Sequence, residues 1–122
     1  MSKHGTFYWS ELLTPDVEAA KAFYGTTVGW TFQPMNDGET YWIAMAGGVP
    51  VAGIGPLADF APPGVPPHWL TYLAVDDVDA RVAGFVAAGG IVVKPCFDIP
   101  GVGRIAIVRD PQGATMGWMT PA

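Results

Sequence analysis

The sequence predicts an α+β fold: two βαβββ modules in tandem, forming a concave, partly open mixed sheet. Three observations carry this. An internal repeat relates LLTPDVEAAKAFY (12–24) to LAVDDVDARVAGF (73–85), with Asp16-Val17-Glu18-Ala19 falling on Asp77-Val78-Asp79-Ala80 at an offset of 77 − 16 = 61. Each copy holds one amphipathic helical pattern, preceded by one strand-like stretch and followed by three. The 122 residues are half hydrophobic and only 14% charged, enough for one domain with its own core.

The elements follow in order. Thr6 to Leu13 and His68 to Val75 open the two halves as strands. Thr14-Pro15-Asp16 offers a capping hydroxyl or carboxylate, with Pro at an early helical position, and Asp76-Asp77 places carboxylates at the positive end of the second helix. Val17, Ala20, Phe23 and Tyr24 share one face of the first helix; Val78, Val82, Phe85 and Val86 share one face of the second. Gly89-Gly90 stops the second helix. The remaining strands are Trp30 to Met35, Tyr41 to Met45 and Val51 to Ile54, then Ile91 to Phe97, Arg104 to Arg109 and Ala114 to Thr120. Asn36-Asp37-Gly38, Gly47-Gly48 and Gly101-Val102-Gly103 read as turns, the last a hairpin device that opens no helix and so cradles no phosphate. The half-repeats span about 6–55 and 68–120 of a single domain, 1–122, joined by a stiff Pro-rich connector, 55–67.

The bulk numbers exclude several functions. A net charge of −5 with no basic run argues against nucleic acid, which needs clustered Lys and Arg. A single cysteine, Cys96, excludes an internal disulfide and a Cys-rich zinc module, and no neighbour argues for an activated thiolate. Thr40 to Ala58 carries no charge, but its glycines and prolines break it into pieces too short to span a membrane as a helix. MSKHGTFYW lacks the apolar core of a signal peptide, so the expected location is the cytoplasm, with His4 in a loose tail.

Leu13-Thr14-Pro15-Asp16 with Ala19, Ala20, Phe23-Tyr24 and Gly29-Trp30, then Val75-Asp76-Asp77-Val78-Asp79, then Asp110-Pro111-Gln112-Gly113, occur in an order and spacing that resembles the vicinal oxygen chelate (glyoxalase/bleomycin resistance protein/dioxygenase) superfamily. The resemblance covers essentially the whole chain and implies that family's fold. It also implies a place for one divalent metal, held by His, Glu or Gln from strands of both halves. Carried onto this sequence, the ligand positions are Trp9 (16 − 7), Leu70 (77 − 7), Gly117 (110 + 7) and, by its match to Gly117, Gly53. None of these side chains binds a metal. A slip of one residue brings Ser10, Ala52, Thr71 and Met116 or Trp118; a slip of two brings Glu11 and His68. No metal site and no cofactor is therefore expected.

Period-two alternation places Phe7, Trp9, Glu11 and Leu13 on one face, with His68, Leu70, Tyr72 and Ala74, and Thr115, Gly117 and Met119, on the same side of their strands. The strand from Tyr41 to Met45 adds one parity, which the sequence leaves open. The expected ligand-binding set is Phe7, Trp9, Glu11, Leu70, Tyr72, Thr115, Gly117 and Met119, an apolar, aromatic lining with a few polar groups. The competing reading is plain core packing. Trp30 and Trp118 are expected to pack outward on helices or a partner chain, and Phe23 and Tyr24 to lie in the core. Glu11 needs solvent, a proton or a partner, the candidates being His68, Arg104 and Arg109.

Two functions compete. One is metal-independent binding of a small hydrophobic or aromatic molecule, similar to the sequestration performed by bleomycin resistance proteins, by a homodimer with neither nucleic-acid nor membrane partners. The other is a glyoxalase-like lyase or isomerase with Glu11 or His68 as acid–base.

Overall fold

The computed structural model describes residues 3–35 and 37–122, so Asn36 of the first expected turn lies outside the described residues. The elements are β1 (Thr6–Thr14), α1 (Val17–Val28), β2 (Thr31–Pro34), β3 (Trp42–Ala46), β4 (Val49–Pro56), a single 3-10 turn (Leu57–Asp59), β5 (His68–Ala74), α2 (Val78–Ala87), β6 (Ile91–Ile99), β7 (Gly103–Arg109) and β8 (Thr115–Pro121). The fold is α+β, and the βαβββ order occurs twice. The uncharged stretch from Thr40 to Ala58 becomes β3, β4 and the start of the 3-10 turn, and among the described residues no helix is long and apolar enough to cross a membrane.

The chain divides into two compact units, 9–69 and 1–8 with 70–122. Within the first, the strands run in the order β2-β3-β4-β1, with β1 parallel to β4. Within the second the order is β6-β7-β8-β5, with β5 parallel to β8. The two registers match: Glu11 lies opposite Gly53 and Tyr72 opposite Gly117, and 11 + 61 = 72. Thr6–Tyr8 belong to the second unit, where the Gly5 amide donates to the Ala74 carbonyl and the Tyr8 hydroxyl reaches the Met119 sulfur.

Both helices start where the repeated aspartates stand. Asp16 accepts from the Ala19 amide at 2.9 Å and Asp77 from the Ala80 amide at 3.2 Å, each satisfying an orphan N–H of the first turn. Asp16 is itself the cap, so Pro15 precedes the helix instead of occupying its first turn, and Thr14 Oγ1 accepts from the Asp16 amide. The helix ends also agree with sequence: Gly29 is left-handed at φ 76° after α1, and Gly89 at φ 104° follows α2.

The buried helical stripes are narrower than expected. Val17, Ala20, Lys21 and Tyr24 line the covered face of α1, while Phe23 is 60% exposed. Phe23 stands one residue, about 100°, from Tyr24, and its outward ring meets Tyr24 edge-on at 5.1 Å. In α2, Val78 and Val82 are buried and Phe85 half-buried, whereas Val86 is exposed for the same reason. The α2 side of the second sheet holds Val75, Ala106, Val108, Met116 and Trp118, and Trp118 packs on Phe85 at 4.9 Å. Trp30 packs on Tyr24 of α1 at 5.7 Å, so both tryptophans lie against helices.

Two further expectations are corrected. His4 is tethered, its Nδ1 accepting from the Asp76 amide at 3.0 Å. The connector is not extended throughout: β4 continues to Pro56, and the Phe60 amide closes a turn on the Leu57 carbonyl. Glu39, between β2 and β3, takes a left-handed φ of 52°, which is uncommon for a residue other than glycine.

Candidate functional site

Strand parity separates two faces in the first unit. The Phe32 ring lies beside Gly25 on the half-covered face of α1, 3.7 Å from where a Cβ on Gly25 would stand, and Phe32, Ala44 and Ala52 are register partners, so Ala52, Ile54 and Leu12 share the helix side. Trp9, Glu11 and Leu13, with Gly53 and Gly55, lie on the other. On that face β4 presents two glycines, and the ring of Tyr41 occupies the space above them. A Cβ on Gly53 would stand 2.8 Å from Tyr41 Cε1 and nearer still to the hydroxyl; one on Gly55 would stand 2.7 Å from Cδ2. The ring therefore lies on bare backbone, at a place any side chain would fill.

The Tyr41 hydroxyl sits between two polar groups. It donates to Glu11 Oε1 at 2.7 Å and accepts from Trp9 Nε1–H at 3.3 Å. Glu11 is 3% exposed, so this donor offsets part of its desolvation. Burial first, and then the charge of Glu11, push the Tyr41 hydroxyl well above the ordinary phenol range. The three side chains considered as Glu11 partners make other bonds. Arg104 forms a fork on Asp79 (2.7 Å and 3.1 Å) and reaches Asp98, Arg109 Nε meets Thr115 Oγ1 at 3.3 Å, and His68 Nδ1 meets the Pro66 carbonyl at 2.9 Å.

The second unit repeats the device. Tyr72 is 1% exposed, and its ring covers Gly117 so closely that a Cβ there would stand 2.5 Å from Cδ2. Leu70, Ala74 and Met119 are buried on the same face. The gap that Gly117 leaves is thus filled by Tyr72, from the paired strand. The Tyr8 hydroxyl, on Met119, is pushed up to about 12 by burial.

Of the expected ligand-binding residues, Trp9 and Glu11 meet through Tyr41 in the first unit. Leu70, Tyr72, Gly117 and Met119 are gathered in the second. Phe7, at 65%, and Thr115 are exposed. Of the two acid–base candidates, Glu11 is buried on Tyr41 and His68 is held on a backbone carbonyl at the start of β5. Tyr41 is the residue that sequence reasoning did not single out. The nearest signal for it was the Gly53/Gly55 pair, which leaves room beside the backbone without saying what fills it.

A metal does not fit the family's positions in this chain. Trp9, Leu70, Gly53 and Gly117 offer no side-chain donor, and phenol rings cover both glycines. Among the described residues no group of three His, Cys, Asp or Glu side chains converges. Cys96 is no soft donor either: burial, then Asp79, raises its thiol pKa.

Comparisons with known proteins agree with the geometry of the fold. The chain is 45% identical over 118 residues to "Putative glyoxylase CFP32" of Mycobacterium tuberculosis, covering 94% of this chain and 45% of that protein. It is 34% identical over 121 residues to the anthracycline biosynthesis protein DnrV of Streptomyces peucetius, covering 87% and 43%. The chain thus spans under half the length of these relatives. A crystal structure of a glyoxalase/bleomycin resistance protein/dioxygenase superfamily member from Vibrio splendidus superposes with a TM-score of 0.61 at 16% identity, covering 96% of this chain and all of that one. The family model for this superfamily matches residues 6–116, and the chain belongs to the glyoxalase/bleomycin resistance protein/dioxygenase superfamily.

Proposed function

We propose that this protein is a metal-independent member of the superfamily that binds a small hydrophobic or aromatic molecule on the sheet faces opposite the helices. The observation that carries the proposal is the paired replacement: phenol rings on Gly53 and Gly117 stand where a metalloenzyme of this family needs donors. A surface of glycine backbone, aromatic rings and a few buried polar atoms suits recognition of a flat, weakly polar molecule better than charge stabilisation. The names of two relatives support the aromatic class, since DnrV and DauV are both described as anthracycline biosynthesis proteins and an anthracycline is a fused-ring aromatic molecule. The role is sequestration or carriage, as in bleomycin resistance proteins. We further propose a homodimer, supported by the apolar surface that Phe23, Val28 and Trp69 expose beside Tyr24 and Trp30.

The test pairs elemental analysis with a thermal-shift screen. Protein dialysed against chelator is expected to hold no stoichiometric Ni, Fe, Mn or Zn and to gain stability with aromatic compounds, by about 2.7 kcal/mol at a hundredfold excess over Kd. One retained equivalent of metal overturns the proposal.

A second reading has one specific observation behind it. Glu11 is a buried carboxylate held by a phenol, an arrangement that suits a proton-transferring lyase or isomerase, and CFP32 is named as a glyoxylase. On that reading Glu11→Gln abolishes turnover of a carbonyl substrate while leaving the thermal midpoint nearly unchanged; a variant that turns over normally removes it.

A further inference from the structure

We infer that the Trp9–Tyr41–Glu11 cluster is a phenol-recognition subsite in which Tyr41 is the resident occupant, and that the ligand is a hydroxyarene whose ring and hydroxyl take Tyr41's place. The inference rests on the binding function proposed above and adds the chemical class and the mode of entry.

Three features of the cluster define the occupant. Gly53 and Gly55, two residues apart on β4, leave a flat strip that accepts the face of an aromatic ring and nothing bulkier. At one end of the strip stand an acceptor and a donor, Glu11 Oε1 and Trp9 Nε1–H, at 2.7 Å and 3.3 Å from one oxygen. A phenol hydroxyl answers both, giving its proton to the carboxylate and taking the indole N–H on its lone pair. A carboxylic acid ligand would bring a second negative charge against a buried carboxylate. A bare hydrocarbon would leave unmade the two bonds that Tyr41 supplies.

Tyr41 is placed to leave. It precedes the first residue of β3, and the ladder of β3 with β2 and β4 begins at Trp42. Rotation about its own side-chain bonds withdraws the ring and leaves the backbone bond from the Met35 amide to the Tyr41 carbonyl intact. While the ring is in place it competes with any ligand, so the apparent affinity is reduced by the fraction of molecules in which the subsite is open.

The probes are 1-naphthol, naphthalene and 1-naphthoate, titrated calorimetrically into the wild type and Tyr41→Ala. Tyr41→Ala is expected to bind 1-naphthol at least about 10-fold more tightly than the wild type does. It is also expected to prefer 1-naphthol over naphthalene by about 10-fold or more, and to reject 1-naphthoate. The wild type labelled with ¹³C-tyrosine gives a readout that needs no destabilised variant: the Tyr41 ring signal, assigned with Tyr41→Phe, moves when 1-naphthol is added. Equal binding of 1-naphthol and naphthalene with an unmoved Tyr41 signal overturns the subsite, while the aromatic-binding function stands. Tight, hydroxyl-selective binding by Tyr41→Ala alone, with no 1-naphthol binding and no Tyr41 shift in the wild type, overturns the subsite, because the cavity left by a deleted ring takes a matching aromatic whatever the native role. Failure of folded Tyr41→Ala to bind 1-naphthol overturns the subsite outright.

Discussion

Tyr72 lays its ring over Gly117, its register partner across the parallel β5–β8 pair, at a distance that leaves no room for a Cβ. The same relation joins Tyr41 to Gly53 in the other unit. In each, a glycine on the last strand of the module and a tyrosine from the strand beside it or the segment leading into that strand form one packing element. Four experiments test this arrangement and the elements around it.

Gly117→Ala and Gly53→Ala should each destabilise by roughly 1–3 kcal/mol, the range for overpacking a well-filled site. Chemical denaturation of each variant measures the loss. Because the clash is with one ring, Gly53→Ala combined with Tyr41→Ala should cost much less than the sum of the single changes. Additive costs would mean that the ring does not rest on the glycine.

Tyr41→Phe keeps the ring and removes the hydroxyl, taking one bond from Glu11 and one from Trp9. The expected loss is about 1–3 kcal/mol, the range for deleting hydrogen bonds made to buried polar groups. Glu11→Gln in the same background should recover part of it, since an uncharged amide is cheaper to bury without that donor. A Tyr41→Phe variant as stable as the wild type would contradict the bond.

Tyr8 and Tyr41 set an alkaline limit. Their folded-state pKa values lie above the ordinary 10.0, Tyr8 at about 12 through burial and Tyr41 raised by burial and then by Glu11. In the unfolded chain both hydroxyls ionise first, so protons leave the unfolded state before the native one. The stabilisation is complete below pH 10 and is lost as pH rises from 10 toward 12 and beyond. Unfolding free energies across that range, with Tyr8→Phe and Tyr41→Phe as controls, should show a decline that each substitution makes shallower.

Asp16→Ala and Asp77→Ala remove equivalent caps from α1 and α2, and each should cost about 1 kcal/mol. The double variant should be close to additive, because the two caps share no partner. Asp77→Asn should retain most of the stability, since an amide oxygen accepts the same amide proton.

The sequence alone determined what depends on short range. A cap bonds three residues ahead, so Asp16 and Asp77 announced both helix starts; a strand alternates every two residues, so the faces holding Trp9, Glu11, Leu70, Tyr72, Gly117 and Met119 followed from their spacing. The family's spacing laid over the sequence places Trp9, Leu70, Gly53 and Gly117 at the expected ligand positions, and none of them carries a metal-binding side chain. The tertiary structure decided which group fills the space those residues leave. Tyr41 reaches Gly53 from 12 residues away (53 − 41) and Tyr72 reaches Gly117 from 45 (117 − 72), contacts set by strand order and ring rotamer that no local pattern encodes. It also decided the partner that Tyr41 gives Glu11: a carboxylate needs a donor, but only the three-dimensional neighbourhood chooses a neutral phenol and leaves Arg104, Arg109 and His68 to other bonds.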